Sequence, residues 1–263
     1  MKIVLLAGSK SSGKTTAATA IYGYHLTQIG SIPNASIDEL GRMSIMFNES
    51  TKEGIYFDID DKSPEFLDYK NKHTAQHINH VGFADELKRV ACDLFGLDYT
   101  KITGTNDQKN EASHIKWEDM LKVLPGNKRK LFKDKKGPMT NREFLETFGT
   151  DICRSIYGDC HVLSAYKKLV ELNPDIGLIT DCRFENEFEF KEFQNNPDVL
   201  RIRLLRNPFK SNSESEKGLE NIPLDKFDLV VPEDATLKEK NNMVINFLIK
   251  RGILSSGSIR VNK

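Results

Sequence analysis

The chain has 263 residues, which suits one α/β domain with insertions or at most two small domains. Its 38 Lys and Arg residues balance its 38 Asp and Glu residues, so no global charge favours nucleic acid or an anionic membrane surface. No apolar run approaches the length of a bilayer span, and the N-terminus lacks the features of a signal peptide. Four cysteines far apart in the sequence, without a C-x-x-C pair, are typical of reduced thiols and favour a cytoplasmic protein.

The first predicted elements are a buried strand over residues 2–8 and a helix over residues 14–28, joined by a glycine-rich turn. The turn, GSKSSGKT at residues 8–15, fits the G-x-x-x-x-G-K-[ST] template at every fixed position. Gly8 and Gly13 permit backbone angles that other residues disfavour, so the N–H groups of the turn can point inward. Such a turn before a helix N-terminus is typical of a nucleotide phosphate site.

The polar residues of this turn have distinct expected roles. Lys14 is expected to reach the β- and γ-phosphates of ATP, and the Thr15 hydroxyl is a natural ligand for Mg²⁺. The predicted ATP-binding residues are Ser11, Ser12, Gly13, Lys14, Thr15 and Thr16.

Further strands and helices alternate along the chain. Strands are predicted over residues 80–84, 176–181, 200–206 and 227–231, and helices over residues 84–95, 140–156, 159–172, 184–194 and 236–250. This alternation predicts an α/β fold with a parallel sheet covered by helices on both faces. Polar insertions are expected at residues 31–79, with partly helical structure, and at residues 99–139. The basic cluster at residues 128–136 is interpreted as a solvated loop, with steering of phosphates as the alternative. A flexible tail is expected at the C-terminus, and one domain is expected overall.

The segment at residues 139–159, MTNREFLETFGTDICRSIYGD, predicts a helix with a break. Thr140 and Glu143 have the spacing of a capping box. Arg142, Glu146 and Gly149 fall near one helical face. For any one arginine here, solvent exposure on an amphipathic helix remains an alternative to a binding role.

The segment at residues 176–190, IGLITDCRFENEFEF, places an acidic residue at the end of a buried strand. Ligands of parallel sheets gather at the carboxyl ends of the strands, so Asp181 is expected to help bind Mg²⁺. Arg183 is placed to neutralise charge on a transferring phosphoryl group. Its alternative is a surface ion pair with Glu185 or Glu187.

Several further segments follow the glycine-rich turn in a fixed order: FADELK at 83–88, GTNDQKN at 104–110, GPMTNREFLETFGTDICRSIYGD at 137–159, DCRFENE at 181–187, RLLRNPF at 203–209 and SESEKGL at 213–219. As an ordered set, they resemble the bacteriophage deoxynucleoside monophosphate kinases, a branch of the P-loop kinase superfamily. The resemblance implies a three-layer α/β/α fold with inserted substrate-binding or lid segments. It also implies transfer of the γ-phosphoryl of ATP, with Mg²⁺, to a deoxynucleoside monophosphate, in the host cytoplasm if a phage encodes the protein. The expected partners are these two nucleotides, with no membrane, nucleic acid disfavoured and a homodimer left open.

The resemblance also assigns roles to single residues. Contacts with the acceptor nucleotide fall on Lys10, Leu87, Lys88 and Lys109, and the helix and turn beneath its phosphate and base contain Arg142, Gly149 and Thr150. The expected catalytic residues are Lys14, Asp181, Arg154 and Arg183.

Three positions depart from the family pattern. Similar proteins usually have Gln at Glu146, Trp at His161 and His at Ser213. Glu146 and His161 therefore fall where a base would be read. Glu146 either contacts the base or holds Arg142 or Arg154. Two other functions stay open: a kinase acting on a modified base such as 5-hydroxymethyluracil in DNA, and a non-catalytic nucleotide-binding assembly protein.

Overall fold

The computed structural model describes residues 1–32, 35–38, 41–46, 54–59, 61, 64–207, 218–220 and 222–256. The chain divides into two compact units, the first comprising Met1–Gly82 and Lys168–Lys263 and the second Phe83–Lys167. The expected C-terminal tail from residue 257 lies outside the described residues, as does Ser213. That the whole chain forms one domain stays a prediction.

The strands in chain order are β1 (Lys2–Gly8), β2 (Ala35–Ile37), β3 (Met43–Met46), β4 (Gly54–Phe57), β5 (Ile78–Val81), β6 (Ala112–Lys116), β7 (Pro138–Thr140), β8 (Ile176–Cys182), β9 (Val199–Leu204) and β10 (Leu229–Val231). The α-helices are α1 (Lys14–Gln28), α2 (Pro64–His73), α3 (Asp85–Phe95), α4 (Tyr99–Thr103), α5 (Asn106–Asn110), α6 (Trp117–Val123), α7 (Gly126–Leu131), α8 (Asn141–Glu146), α9 (Arg154–Ile156), α10 (Cys160–Leu172), α11 (Glu185–Phe188) and α12 (Leu237–Lys250). A π-helical turn spans Thr147–Cys153, and a 3₁₀ turn spans Leu224–Lys226.

The first unit is built on a five-stranded sheet in the order β10-β9-β1-β8-β5, and every pair in it is parallel. The sequence KIVLLAG makes β1 apolar on both faces, so it lies at the centre, with Val4 opposite Leu178 on one side and Leu200 on the other. The predicted α/β fold with a parallel sheet is confirmed, and each predicted strand is present within a few residues of its expected ends.

Helices cover this sheet on both faces. α1 and α12 pack together over the face that carries Ile176 and Leu178. Gly177 points to the opposite face because side chains alternate along a strand, and a Cβ there would contact Leu169 of α10. The result is a three-layer α/β/α arrangement, in which the carboxyl ends of the strands lie at one edge.

The insertion expected at residues 31–79 contains more strand than the sequence pattern indicates. Its described residues form a three-stranded antiparallel sheet in the order β2-β3-β4, followed by α2. Met43 of β3 packs so closely on α1 that a Cβ at Gly23 would collide with its sulfur. These strands have only three or four residues each, too few to show a clear alternation of apolar and polar residues.

Two predicted elements need correction. The helix expected over residues 184–194 is only one turn, α11, because the backbone then turns at Phe190, whose carbonyl accepts from the N–H of Phe193. The basic cluster at residues 128–136 is no plain solvated loop, since it begins in α7 and its Lys128 forms a 2.9 Å ion pair with the buried Asp151.

The second unit has its own apolar core. Trp117, Met120, Met139 and Phe144 are its large buried side chains. The helix predicted over residues 140–156 is present but changes register: α8 leads into the π-helical turn, which leads into α9. None of the helices in the described parts of either unit combines the length and apolar character that crossing a bilayer requires.

Candidate active site

The glycine-rich loop, residues 8–15, lies at the carboxyl end of β1 and leads directly into α1. Gly13 caps this helix with φ 95°, in the left-handed region that glycine tolerates best, and Ser11 also has a positive φ of 60°. A Cβ at Gly8 would collide with the buried Ser12 hydroxyl, so this position also needs a glycine. The structure therefore explains why the sequence template has glycine at both of its fixed glycine positions, Gly8 and Gly13.

Lys14 is buried within this loop. Its Nζ donates to the carbonyl oxygens of Gly8 at 2.6 Å and Ser9 at 2.7 Å. The ammonium is thus held on the inner side of the loop, at the N-terminus of α1, where the helix dipole also favours an anion.

The remaining loop residues differ in exposure. Lys10, Ser11 and Thr15 are exposed, and Ser12 is buried. Thr16 is partly covered by the insertion, because a Cβ at Gly41 would collide with its side chain. The hydroxyl of Thr15 is accordingly open to a ligand, whereas the Thr16 side chain lies against Gly41.

Asp181 lies at the carboxyl end of β8, beside β1. Leu5 pairs with Ile179, but Ala7 pairs with Cys182. Between these two pairs β8 has one more residue than β1, so Thr180 and Asp181 lie in a β-bulge. His80 of β5 contacts the Thr180 hydroxyl at 2.7 Å and supports this irregular segment from the other side. Asp181 is half-buried and lies in this bulge, at the edge of the sheet where the glycine-rich loop also lies.

Arg183 follows β8 and its backbone is fixed by a residue that the sequence interpretation did not select. The Glu187 carboxylate is 1% exposed and accepts from the N–H groups of Arg183 at 2.7 Å and Phe184 at 3.0 Å. Glu187 therefore shapes the turn that follows β8, and the alternative of a surface ion pair between Arg183 and Glu185 or Glu187 stays open. In the sequence, the available signal for Glu187 was an acidic residue shortly after the predicted strand over residues 176–181.

Lys240 was also missed. It lies in α12, is 4% exposed, and donates from Nζ to the Gly13 carbonyl oxygen at 3.2 Å. Burial and the nearby positive charge of Arg206 lower its pKa to about 8. In sequence, it is one of three lysines on this helix, and no local pattern distinguishes it from the other two.

The other predicted residues belong to the second unit, where the structure brings three of them together. Gly149, in the π-helical turn, lies against Leu87 of α3 so closely that a Cβ would be 2.6 Å from Leu87 Cδ2. The buried His161 ring contacts the Gly149 carbonyl oxygen through Nε2 at 3.1 Å. His161, the position at which a Trp was expected from the resemblance, therefore supports the backbone of the π-helical turn.

Arg142 is held by α5 rather than by an acidic residue. Its Nε donates to Asn110 Oδ1 at 3.0 Å and one terminal nitrogen donates to Asn106 Oδ1 at 2.9 Å. Among the residues that the structure describes, these two amides are its hydrogen-bond partners and Glu146 is not one of them, so of the two arginines that Glu146 was expected to hold, Arg154 stays a prediction. Lys109 lies between the two asparagines in sequence, on the same short helix.

The remaining predicted residues of this unit are dispersed over three helices and the turn. Lys88 of α3 is 3.6 Å from Asp85, Glu146 ends α8 with an exposed side chain, and Arg154 donates to the Gly158 carbonyl oxygen at 3.5 Å. Thr150 is half-buried in the π-helical turn, next to the ion-paired Asp151. Short π-helical stretches are often found at functional sites.

The chemistry of the donor atoms at the glycine-rich loop suits Mg²⁺. A hydroxyl from Thr15 and a carboxylate from Asp181 are hard oxygen ligands, and Mg²⁺ is commonly bound through one or two protein oxygens together with substrate phosphates.

A five-stranded parallel sheet with a glycine-rich loop at the end of its central strand defines the class of this protein as a three-layer α/β/α protein. No known family model matches the chain. Over 171 residues, it is 26% identical to a protein of Acanthamoeba polyphaga mimivirus named "Putative deoxynucleotide monophosphate kinase", and the match covers 62% of this chain and 79% of that protein.

Proposed function

We propose that this protein is a nucleotide kinase that transfers the γ-phosphoryl group of ATP to a deoxynucleoside 5'-monophosphate, in the nucleotide metabolism of a phage. The observation that carries the proposal is the glycine-rich loop, with Lys14 buried inside it and Asp181 at the end of the neighbouring strand. The likeness to the mimivirus protein named as such a kinase supports the choice of substrate class.

The proposed reaction forms a bond between an oxygen of the acceptor phosphate and the γ-phosphorus of ATP. The bond from that phosphorus to the β–γ bridging oxygen breaks, and ADP leaves. Positioning and electrostatics supply most of the acceleration in such transfers. An acceptor phosphate is already ionised at neutral pH, so no strong general base is required.

Each predicted residue has a role in this proposal. The loop N–H groups and Lys14 bind the phosphates of ATP, and Thr15 and Asp181 would hold Mg²⁺, which supplies charge neutralisation when bound. Arg154 and Arg183 offset charge on the transferring group. Acceptor binding is assigned to Lys10, Leu87, Lys88, Lys109, Arg142, Glu146, Gly149, Thr150 and His161.

The test is a transfer assay with γ-labelled ATP and, separately, each deoxynucleoside monophosphate and DNA containing 5-hydroxymethyluracil. Label in a deoxynucleoside diphosphate supports the proposal. Label in the DNA assigns the protein to modified-base chemistry instead. ATP binding without any transfer would make it a non-catalytic nucleotide-binding protein.

Two variants test the residues that carry the proposal. Lys14→Ala and Asp181→Ala should each lower kcat at least about a hundredfold, because each loses about 3 kcal/mol or more of transition-state stabilisation. Lys250→Ala, which removes an exposed lysine at the end of α12, is the matched control and should keep full activity. Near-normal turnover by folded Lys14→Ala would contradict the assignment of the loop.

A further inference from the structure

The C-terminal helix brings a buried cation to the glycine-rich loop. Lys240 lies one turn after the N-cap of α12, with its N–H donating to the Thr236 carbonyl oxygen. Its Nζ donates to the Gly13 carbonyl oxygen at 3.2 Å and occupies the space that a Cβ on Gly13 would need. A further charged group of the chain therefore lies at the loop, in addition to Lys10 and Lys14.

The Lys240 ammonium is buried with few hydrogen-bond acceptors among the described residues. An ammonium has three N–H donors, and within the described part of the chain Lys240 has the Gly13 carbonyl as its hydrogen-bond acceptor, without an ion pair to a carboxylate. Arg206, which follows β9, adds a second positive charge nearby. Within the described ranges no carboxylate pairs with this ammonium, and a buried cation without a counter-ion is costly, so the arrangement favours an anionic ligand.

The position of the pair indicates which anion. β9 is the direct neighbour of β1, and Leu204 pairs with Gly8, so Arg206 follows the strand end beside the start of the glycine-rich loop. Lys240 contacts the other fixed glycine, at the end of the loop. Both cations therefore lie beside the glycine-rich loop, which is the triphosphate-binding site in the proposed function.

We propose that the Lys240 ammonium, with Arg206 beside it, is a further phosphate-binding group that contacts the phosphate chain of the nucleoside triphosphate donor. The inference rests on the proposed function in taking a triphosphate as the ligand of the loop. It differs from a purely structural role, in which Lys240 would only fasten α12 to the Gly13 carbonyl.

The experiment compares binding of ATP and of inorganic tripolyphosphate by calorimetry, without an acceptor nucleotide. Lys240→Met removes both the charge and the hydrogen bond, and Lys240→Gln removes the charge but keeps an N–H donor for the Gly13 carbonyl. Lys238→Met is the matched control, since Lys238 is exposed on the same turn of α12. Thermal unfolding of each variant establishes that it is folded.

We expect both Lys240 variants to bind ATP and tripolyphosphate at least about tenfold more weakly than the wild type, because a charge-assisted contact is lost. Lys238→Met should bind within twofold of the wild type. Unchanged affinity in both Lys240 variants would overturn the proposal, and so would a loss in Lys240→Met with normal affinity in Lys240→Gln, which is the result of a structural role.

The outcome is separable from that of the proposed function. If ATP binding depends on Lys14 and on Lys240 but no deoxynucleoside monophosphate is phosphorylated, the proposed function is wrong and the Lys240 contact stands. If the wild type binds neither ATP nor tripolyphosphate, both are overturned.

Discussion

Arg142 combines a structural contact with its proposed contact to the acceptor. Its guanidinium joins α8 to α5 through the side-chain oxygens of Asn106 and Asn110. Both partners are neutral amides, so the positive charge is not compensated by these contacts, and it can still attract a phosphate. An arginine held in this way loses less side-chain entropy when it binds a ligand, because its orientation is already restricted.

We therefore expect Arg142→Ala to raise the KM for the deoxynucleoside monophosphate about tenfold or more, because a charge-assisted contact is lost, while the KM for ATP changes less than twofold. Steady-state kinetics with each substrate varied in turn measures both constants. Arg89→Ala is the control, since Arg89 is an exposed arginine of the same unit, paired with Glu86 and Asp93. Equal weakening of both substrates would contradict the assigned role.

Lys240 also has a consequence for stability. Its pKa is about 8 in the folded protein, below the ordinary value of 10.5, so folding disfavours the charged form. Below pH 8 the ammonium is charged in both states and its burial lowers the free energy of unfolding. Between pH 8 and 10.5 the unfolded chain binds the proton and the folded protein does not, so stability rises with pH, by about 1.4 kcal/mol per pH unit.

The prediction is made for the difference between wild type and Lys240→Met, in which other titrating groups cancel. We measure the free energy of unfolding in urea at pH 7.5 and 9.5. The difference between wild type and Lys240→Met should be about 2 kcal/mol more favourable to the wild type at pH 9.5 than at pH 7.5. A difference that is independent of pH would show that the lysine has the same pKa in both states.

At the scale of elements, the parts with strong local patterns were predictable. β1 and α1 follow from an apolar run and a glycine-rich turn, and α8 follows from the capping box of Thr140 and Glu143, which the structure contains. The antiparallel sheet of β2, β3 and β4 was not predictable. Such short strands depend on packing against α1 rather than on the strand propensity of their own residues.

The candidate site shows the same division. The glycine-rich loop and Asp181 have signals within a few residues of sequence. Lys240 reaches Gly13 only because α1 and α12 pack on the same face of the sheet, and the bulge beside Asp181 exists only in the pairing of β1 with β8. Contacts between residues so far apart in the chain have no local signal.

The π-helical turn leads to a prediction about Gly149. A Cβ there would displace Leu87, which is half-buried and can move at a modest cost, so Gly149→Ala should lower the free energy of unfolding by about 1 kcal/mol. Gly126→Ala is the matched control, because nothing lies within 4 Å of a Cβ at the start of α7, and this change should be neutral or slightly stabilising.

Urea unfolding measures both glycine variants. The double variant Gly149→Ala with Leu87→Ala should show less than the sum of the two single losses, since the clash is removed with the leucine. Additive losses would mean that Gly149 and Leu87 do not contact each other in solution.

For the whole molecule, the balance of charge governs behaviour in solution. The net charge is zero at pH 7 and the isoelectric point is about 7.0, so repulsion between molecules is weakest there. We expect light scattering at low salt to show the strongest attraction between molecules near pH 7, and weaker attraction at pH 8.5. A second virial coefficient that does not change between these pH values would contradict this expectation.

The central position of β1 also has a consequence during translation. Val4 pairs with Leu178 and Leu200, so β1 is synthesised long before either of the strands that flank it. At ribosomal rates of about 5–20 residues per second, this apolar segment waits on the order of ten to forty seconds for the region around Leu200. The second unit, Phe83–Lys167, is synthesised in that interval and has its own core. The apolar β1 therefore stays unpaired until the region around Leu200 has emerged, and we expect a chaperone that binds apolar segments to act on it during that time.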